Sequence, residues 1–306
     1  MNIKRVLYVA NKDILVIDDP AFTRCVDLHR SSGCYVEILM VVEEKDIPGL
    51  GVYSDDKYNV IKKEVIEKKK KMLEVQLDSN YKIKAGIKIR YGIQFIEIIK
   101  ESVEFDFDLI VKHQDVRLKG LHSIDLHLLR KTQVPLWLIR DETLPSGQNI
   151  VTAIDLDLEK NGEGKAINKK IIDVSKRLSE ELTAEVKVLS CWSVSGEEFL
   201  RNKPLLKVDN VDYPEILSLE ETRYSELMKN FLAENDLGSH ALIRGEAAES
   251  ISDFINFERP SLLVIGSFSR TGIKGYLIGN TAEDVLLSIK SSVLVVKPEG
   301  FISPVV

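Results

Sequence analysis

Pro260-Ser-Leu-Leu-Val-Ile265, Gly266-Ser-Phe-Ser-Arg-Thr-Gly-Ile-Lys-Gly-Tyr-Leu-Ile-Gly-Asn-Thr281 and Ser292-Val-Leu-Val-Val296 read as a buried strand, a glycine-rich loop and a second strand. Thr281-Ala-Glu-Asp-Val-Leu-Leu-Ser-Ile289 supplies a helix between loop and second strand. About half a chain earlier the same order appears. Phe107-Asp-Leu-Ile-Val-Lys112 leads through a polar stretch into Asp125-Leu-His-Leu-Leu-Arg-Lys131 and Val134-Pro-Leu-Trp-Leu-Ile139. A strand that ends in a loop and opens a helix is where α/β folds bind phosphate, and only the second copy keeps the glycines for it.

Working outward, each half alternates strand and helix. The first half has strand patterns at Lys4–Ala10, Tyr35–Val42, Ile83–Arg90, Phe107–Lys112 and Val134–Arg140. Helices fall over Asp18–Ser32, Asp56–Leu77, Gln94–Val103 and Ile124–Lys131, the first opening on acids and a proline. After the turn-formers Asp141–Asn149 the order recurs, with strands Ile150–Ile154, Glu185–Cys191, Ser239–Arg244, Leu262–Ile265 and Ser292–Val296. Its helices are Ala166–Leu182, Pro214–Asn235, Ala248–Phe257 and Thr281–Ile289. The pattern predicts an α/β fold of two tandem doubly wound domains, residues 1–144 and 148–306, each with a five-stranded, mostly parallel sheet. They are expected as two superposable units with separate sheets.

At 306 residues the chain is long enough for two cores. A net charge of −6, well mixed, argues against a nucleic-acid platform. The absence of a long apolar run and of a signal-peptide pattern predicts a cytoplasmic protein without a membrane span. Cys25, Cys34 and Cys191 form no CxxC pair and read as reduced thiols. In the run Lys62–Met72, Glu64 and Glu67 stand four residues before Lys68 and Lys71, as on a solvated helix face.

The chemistry concentrates in the loop Gly266–Thr281. Gly266 ends a strand where backbone can pass close to a ligand, and Gly279-Asn280-Thr281 begins a helix with outward-pointing amides. Ser269, Asn280 and Thr281 add side-chain donors to a cradle suited to polyphosphate. The same residues also read as ordinary capping, with Glu283 or Asp284 completing a capping box. His113, His122 and His127 with Asp125 are zinc-ligand types without a diagnostic spacing, and Asp125 reads equally as a helix cap with His127 packed locally. No G-x-S-x-G, HExxH or Walker-type phosphate loop occurs.

Gly266, Ser269, Gly279 and Asn280 fall on the four positions of G-x2-G-x9-G-[S/T], the pattern that the universal stress protein family carries between its fourth strand and following helix. Ser269 and Asn280 depart from it. The strings Arg270-Thr-Gly-Ile, Gly279-Asn-Thr-Ala-Glu283 and Asp125-x-His-Leu-Leu-Arg-Lys131 resemble the E-type tandem members, and the resemblance spans the chain. It implies an adenine nucleotide alpha hydrolase-like fold and a stress-response protein that binds ATP or a related small ligand in its second half without robust catalysis. Slow ATPase or adenylyl-transfer activity, or carriage of an apolar ligand, are the alternatives. Asp155 matches the adenine-contacting aspartate, and a backbone contact to the base falls near Cys191, although aspartate is also a common turn residue. The first half has Asn11 for the aspartate and Lys112-His113 for the glycine, and keeps only Gly120 in its loop, which implies a lost site. The resemblance further implies an internal pseudo-dimer through the fifth strands, Leu136–Ile139 against Val293–Val296, covering two apolar edges and leaving further homodimerisation open.

Overall fold

The computed structural model describes residues 3–12, 15–49, 52–80, 85–114, 123–140, 149–160, 162–194, 196–197, 213–267 and 280–306. In the first half, strands β1 (Arg5–Val9), β2 (Tyr35–Val42), β3 (Gly86–Tyr91), β4 (Leu109–Gln114) and β5 (Leu136–Arg140) alternate with helices α1 (Pro20–Ser32), α2 (Asp55–Asn80), α3 (Gln94–Glu104) and α4 (Ser123–Lys131). In the second half, β6 (Asn149–Ile154), β7 (Glu185–Trp192), β8 (His240–Arg244), β9 (Leu262–Gly266) and β10 (Ser292–Val296) alternate with α5 (Gly162–Leu182), α6 (Tyr213–Glu234), α7 (Ala247–Glu258) and α8 (Asn280–Ser288). The predicted elements are present in the predicted order.

The separate sheets are the expectation that fails. All strands join one ten-stranded sheet in the order β3-β2-β1-β4-β5-β10-β9-β6-β7-β8. Within each half every pairing is parallel, and the halves meet at one antiparallel seam where Leu138, Trp137 and Leu136 face Val293, Leu294 and Val295. The physical reason is the one that made the fifth-strand pairing attractive. Two buried apolar edges with unmet backbone hydrogen bonds complete each other and extend the sheet as they do so. The boundary expected within residues 141–149 falls almost wholly outside the described residues.

Both faces of the sheet are covered, so its strands are apolar on both sides. One face packs Val6, Tyr8, Val111 and Trp137 together with Ile150, Val264 and Leu294 beneath α1 and α5, which touch each other across the seam. The other buries Leu7, Ile110, Leu138, Leu263 and Val293 against α3, α4, α7 and α8. Helix α1 starts where an N-cap side chain and proline meet, Asp19 accepting from the Ala21 amide at 2.8 Å, and stops at Gly33 with φ 71°. Among the described side chains of α2, Leu73 and Leu77 are buried while Val60, Met72 and Val75 are exposed, so the lysine-rich run is a solvated face.

In each half the strand order reverses beside the first strand, between β1 and β4 and between β6 and β9. Ligands of open α/β sheets bind beyond the carboxyl ends of the strands at such a point.

Candidate functional site

In the second half, Asp155 follows β6 directly, Cys191 is the next-to-last residue of β7, and Gly266 is the last of β9. Pairing of Ala153 with Ile265 and of Ile154 with Ser190 aligns these three strand ends. Helix α8 begins nearby in the chain at Asn280, and Thr281 in its first turn is exposed. Ser269 and Gly279 lie outside the described residues, as does the Asn280 side chain.

Asp155 is held by its backbone and by a turn. Asn168, a buried residue of α5, accepts from the Asp155 amide at 3.3 Å and donates to its carbonyl at 2.8 Å. One Asp155 carboxylate oxygen accepts from the Asp157 amide at 3.0 Å, opening the 3-10 turn Leu156–Lys160. The turn reading of this aspartate is therefore right locally, and the turn fixes the carboxylate at the switch point. Burial pushes the Cys191 thiol up to about 11, with a hydrogen bond to Ser250 opposing the shift and the charge of Asp155 adding to it. It is a protonated thiol at neutral pH, suited to packing rather than to nucleophilic attack.

Gly266 has a different reason from the one its place in the loop suggests. A Cβ there would come within 2.7 Å of Ile171 Cδ1 and 3.2 Å of Ile167 Cγ1, so the missing side chain lets α5 close on the sheet. The Glu283 carboxylate meets Arg130 of the first half at 2.5 Å.

The first half carries different side chains at the corresponding strand ends. Val9 pairs with Lys112 as Ala153 pairs with Ile265, which puts His113 at the place of Gly266 and Asn11 at that of Asp155. His113 is buried with its Nδ1 4.0 Å from the Asp19 carboxylate, which also accepts from Tyr8 Oη at 2.7 Å. Burial raises the Asp19 carboxyl, while the Tyr8 hydrogen bond lowers it. On the opposite face Lys112 Nζ lies 2.9 Å from Asp125 Oδ1, and Asp125 is fully buried in the first turn of α4.

These contacts disperse the proposed metal ligands. His127 stacks on Phe95 with centroids 4.3 Å apart, Asp125 pairs with Lys112, His113 lies beside Asp19, and His122 is outside the described residues. Among the described residues no group of three or more His, Cys, Asp or Glu side chains gathers to hold a metal ion.

Three residues near the site escape a reading by motif. Ser267, Asn168 and Lys297 are all buried, and Lys297 Nζ is 3.1 Å from Ser267 Oγ. Desolvation pushes the Lys297 ammonium down to about 7. A lysine ending the apolar run Val293–Val296 was the available signal, but its partners come from distant segments.

Residues 148–297 match the model of the universal stress protein family. The chain is similar to universal stress protein E of Escherichia coli K12, 26% identical over 298 residues that cover 94% of this chain and 92% of that protein. Among solved structures it is similar to a functionally unknown protein from Pseudomonas aeruginosa PAO1, with a TM-score of 0.70, 20% identity and coverage of 98% and 94% of the two chains. A putative universal stress protein from Pseudomonas aeruginosa UCBPP-PA14 gives a TM-score of 0.68 at 21% identity, covering 98% of this chain and 95% of that one. The structural likenesses extend across both halves of the fold. Among the described residues no helix is long and apolar enough to cross a membrane.

Proposed function

The chain belongs to the universal stress protein family, whose domain occupies residues 148–297 in the second of its two copies of the fold, and from that premise we propose a stress-response role exercised by binding. The ligand is ATP or a related adenine nucleotide, held in the second half without sustained catalysis, and the compartment is the cytoplasm. The observation that carries this reading is the alignment of Asp155, Cys191 and Gly266 at the carboxyl ends of β6, β7 and β9, beside the topological switch point.

In this reading the base lies toward Asp155 and the backbone at Cys191. The polyphosphate lies toward the N-terminus of α8, where the amides of Asn280 and Thr281 meet the positive end of the helix dipole. Gly279 lets the oxygens approach, and the hydroxyl of Ser269 contributes a donor while its Cβ takes space from them. Hydrolysis would further require an acid to hold a metal ion beside the phosphates. Asp155, committed to the base, does not supply it.

Calorimetric titration of the full chain with ATP tests the assignment. Gly279→Val is expected to weaken binding roughly ten- to hundredfold, the loss of about one charge-assisted hydrogen bond, and Asp155→Ala to weaken it as well. Ser269→Gly should strengthen it. A folded Gly279→Val chain with the parent's affinity would show that the loop only caps a helix, and turnover measured on the same samples separates binding from a slow ATPase.

A further inference from the structure

The two halves exchange basic side chains across the seam. Arg140, the last residue of β5, is 4% exposed, and its guanidinium bonds Gln114 Oε1 at 2.9 Å, the carbonyl of Leu286 at 2.7 Å and the carbonyl of Ile289. Leu286 lies in the last turn of α8 and Ile289 just beyond it, in the other half. Lys297, just beyond β10, is 1% exposed and donates to Ser267 Oγ of its own half and to the carbonyl of Leu129, in α4 of the first half. Its ammonium also lies 4.9 Å from the centre of the Phe301 ring.

This is one device built twice. Val111 pairs with Trp137 and Gln114 with Arg140 in the first half, as Val264 pairs with Leu294 and Gly266 with Val296 in the second. The same register therefore places Lys297 at the position of Arg140 and Ser267 at that of Gln114. Leu129 and Leu286 are each the seventh residue of a nine-residue helix. In both copies a buried basic side chain steadies the end of its own fourth strand and donates to orphan carbonyls at the C-terminal end of the other half's last helix.

We infer that Arg140 and Lys297 are positioning residues for the nucleotide site, so that the first half serves as a strut for the second. The inference rests on the proposed nucleotide reading. Arg140 grips the far end of the helix whose first residues would meet phosphate. Lys297 ties Ser267, the residue that leads from β9 into the glycine-rich loop, to the first half. A tilt of about 10° over a nine-residue helix would move its tip by roughly 2 Å, more than charge-assisted hydrogen bonds tolerate.

The experiment uses the full chain with Arg140→Met, Arg140→Lys and Lys297→Met, reading ATP affinity by calorimetry and amide hydrogen exchange in α8. Arg140→Met should speed exchange through α8 at least tenfold and weaken ATP binding about tenfold, with Arg140→Lys intermediate. Lys297→Met should weaken binding with less effect on α8 exchange. If Arg140→Met does not fold, Arg140→Lys decides. Exchange and affinity both at the parent's level would overturn the inference. A parent chain that does not bind ATP, with α8 still loosened by the substitution, would instead sink the nucleotide reading and leave the strut standing.

Discussion

The two halves share strand order, helix order and register, yet differ in what occupies the point where the strand order reverses. At equivalent places the second half has Ile265 and Ala282, both buried and apolar, where the first has a half-buried Lys112 paired with the buried Asp125. The second has its first-turn acid one residue later, Glu283, and pairs it with Arg130 of the first half. The first supplies a carboxylate in the first turn of the helix and a lysine to balance it. A chain can meet a helix dipole with its own negative charge as well as with a bound anion, and keep the fold unchanged.

The largest effect should come from breaking that internal charge pair. Asp125→Ala leaves the half-buried Lys112 without its counter-charge, its Nζ keeping only the His113 carbonyl among the described residues, and should cost about 3 kcal/mol in urea unfolding, whereas Lys112→Ile together with Asp125→Ala, which gives the first half the residues of the second, should recover most of the loss. A double variant no more stable than Asp125→Ala would show that the pair does more than balance itself.

A smaller effect distinguishes the two exchanged basic side chains. A guanidinium keeps its proton in proteins, but burial brings Lys297 down to about 7 from the ordinary 10.5. Above pH 7 the folded chain has released this proton while the unfolded chain still holds it, so stability rises with pH and falls again as pH returns toward 7. Between pH 7 and 8.5 the parent should gain about 1.5 kcal/mol relative to Lys297→Met, measured as the difference between the two unfolding curves. Parallel curves would place the titration elsewhere.

The smallest effect concerns the glycine that the first half replaces with His113. Gly266→Ala should destabilise by about 1 kcal/mol, because the new Cβ meets Ile171 Cδ1, the movable end of a side chain. A thermal melt will read it. A larger loss would mean that α5 cannot yield.

The alternation of strands and helices was legible because each element carries its own periodicity, and the copy in the second half repeated the evidence. The start of α5 was read at Ala166 rather than Gly162, since Gly162 and Gly164 look like loop residues, whereas Gly164 is buried within the helix. Asp155 was legible as a strand-end acid, and His113 as the residue that replaces a glycine. The reason for Gly266 was not, because it lies in the side chains of Ile167 and Ile171, about a hundred residues away in the chain. Arg140 and Lys297 were missed for the same reason, their partners being backbone carbonyls of the opposite half. Single-sequence patterns report local period and composition, and neither encodes a contact between halves.

The seam between β5 and β10 also removes a dependence on abundance. When two such edges belong to separate chains, their pairing follows mass action and is lost on dilution. Here both edges belong to one polypeptide, and a tether of moderate length confines them at an effective concentration on the order of 1 mM. Even an intrinsic affinity of about 1 μM would then leave roughly one molecule in a thousand open, whether the cell holds many copies or few. The outermost strands are guarded differently, by Lys88 and Arg90 on β3 and by Arg244 on β8, charges that disfavour recruitment of a stranger's edge.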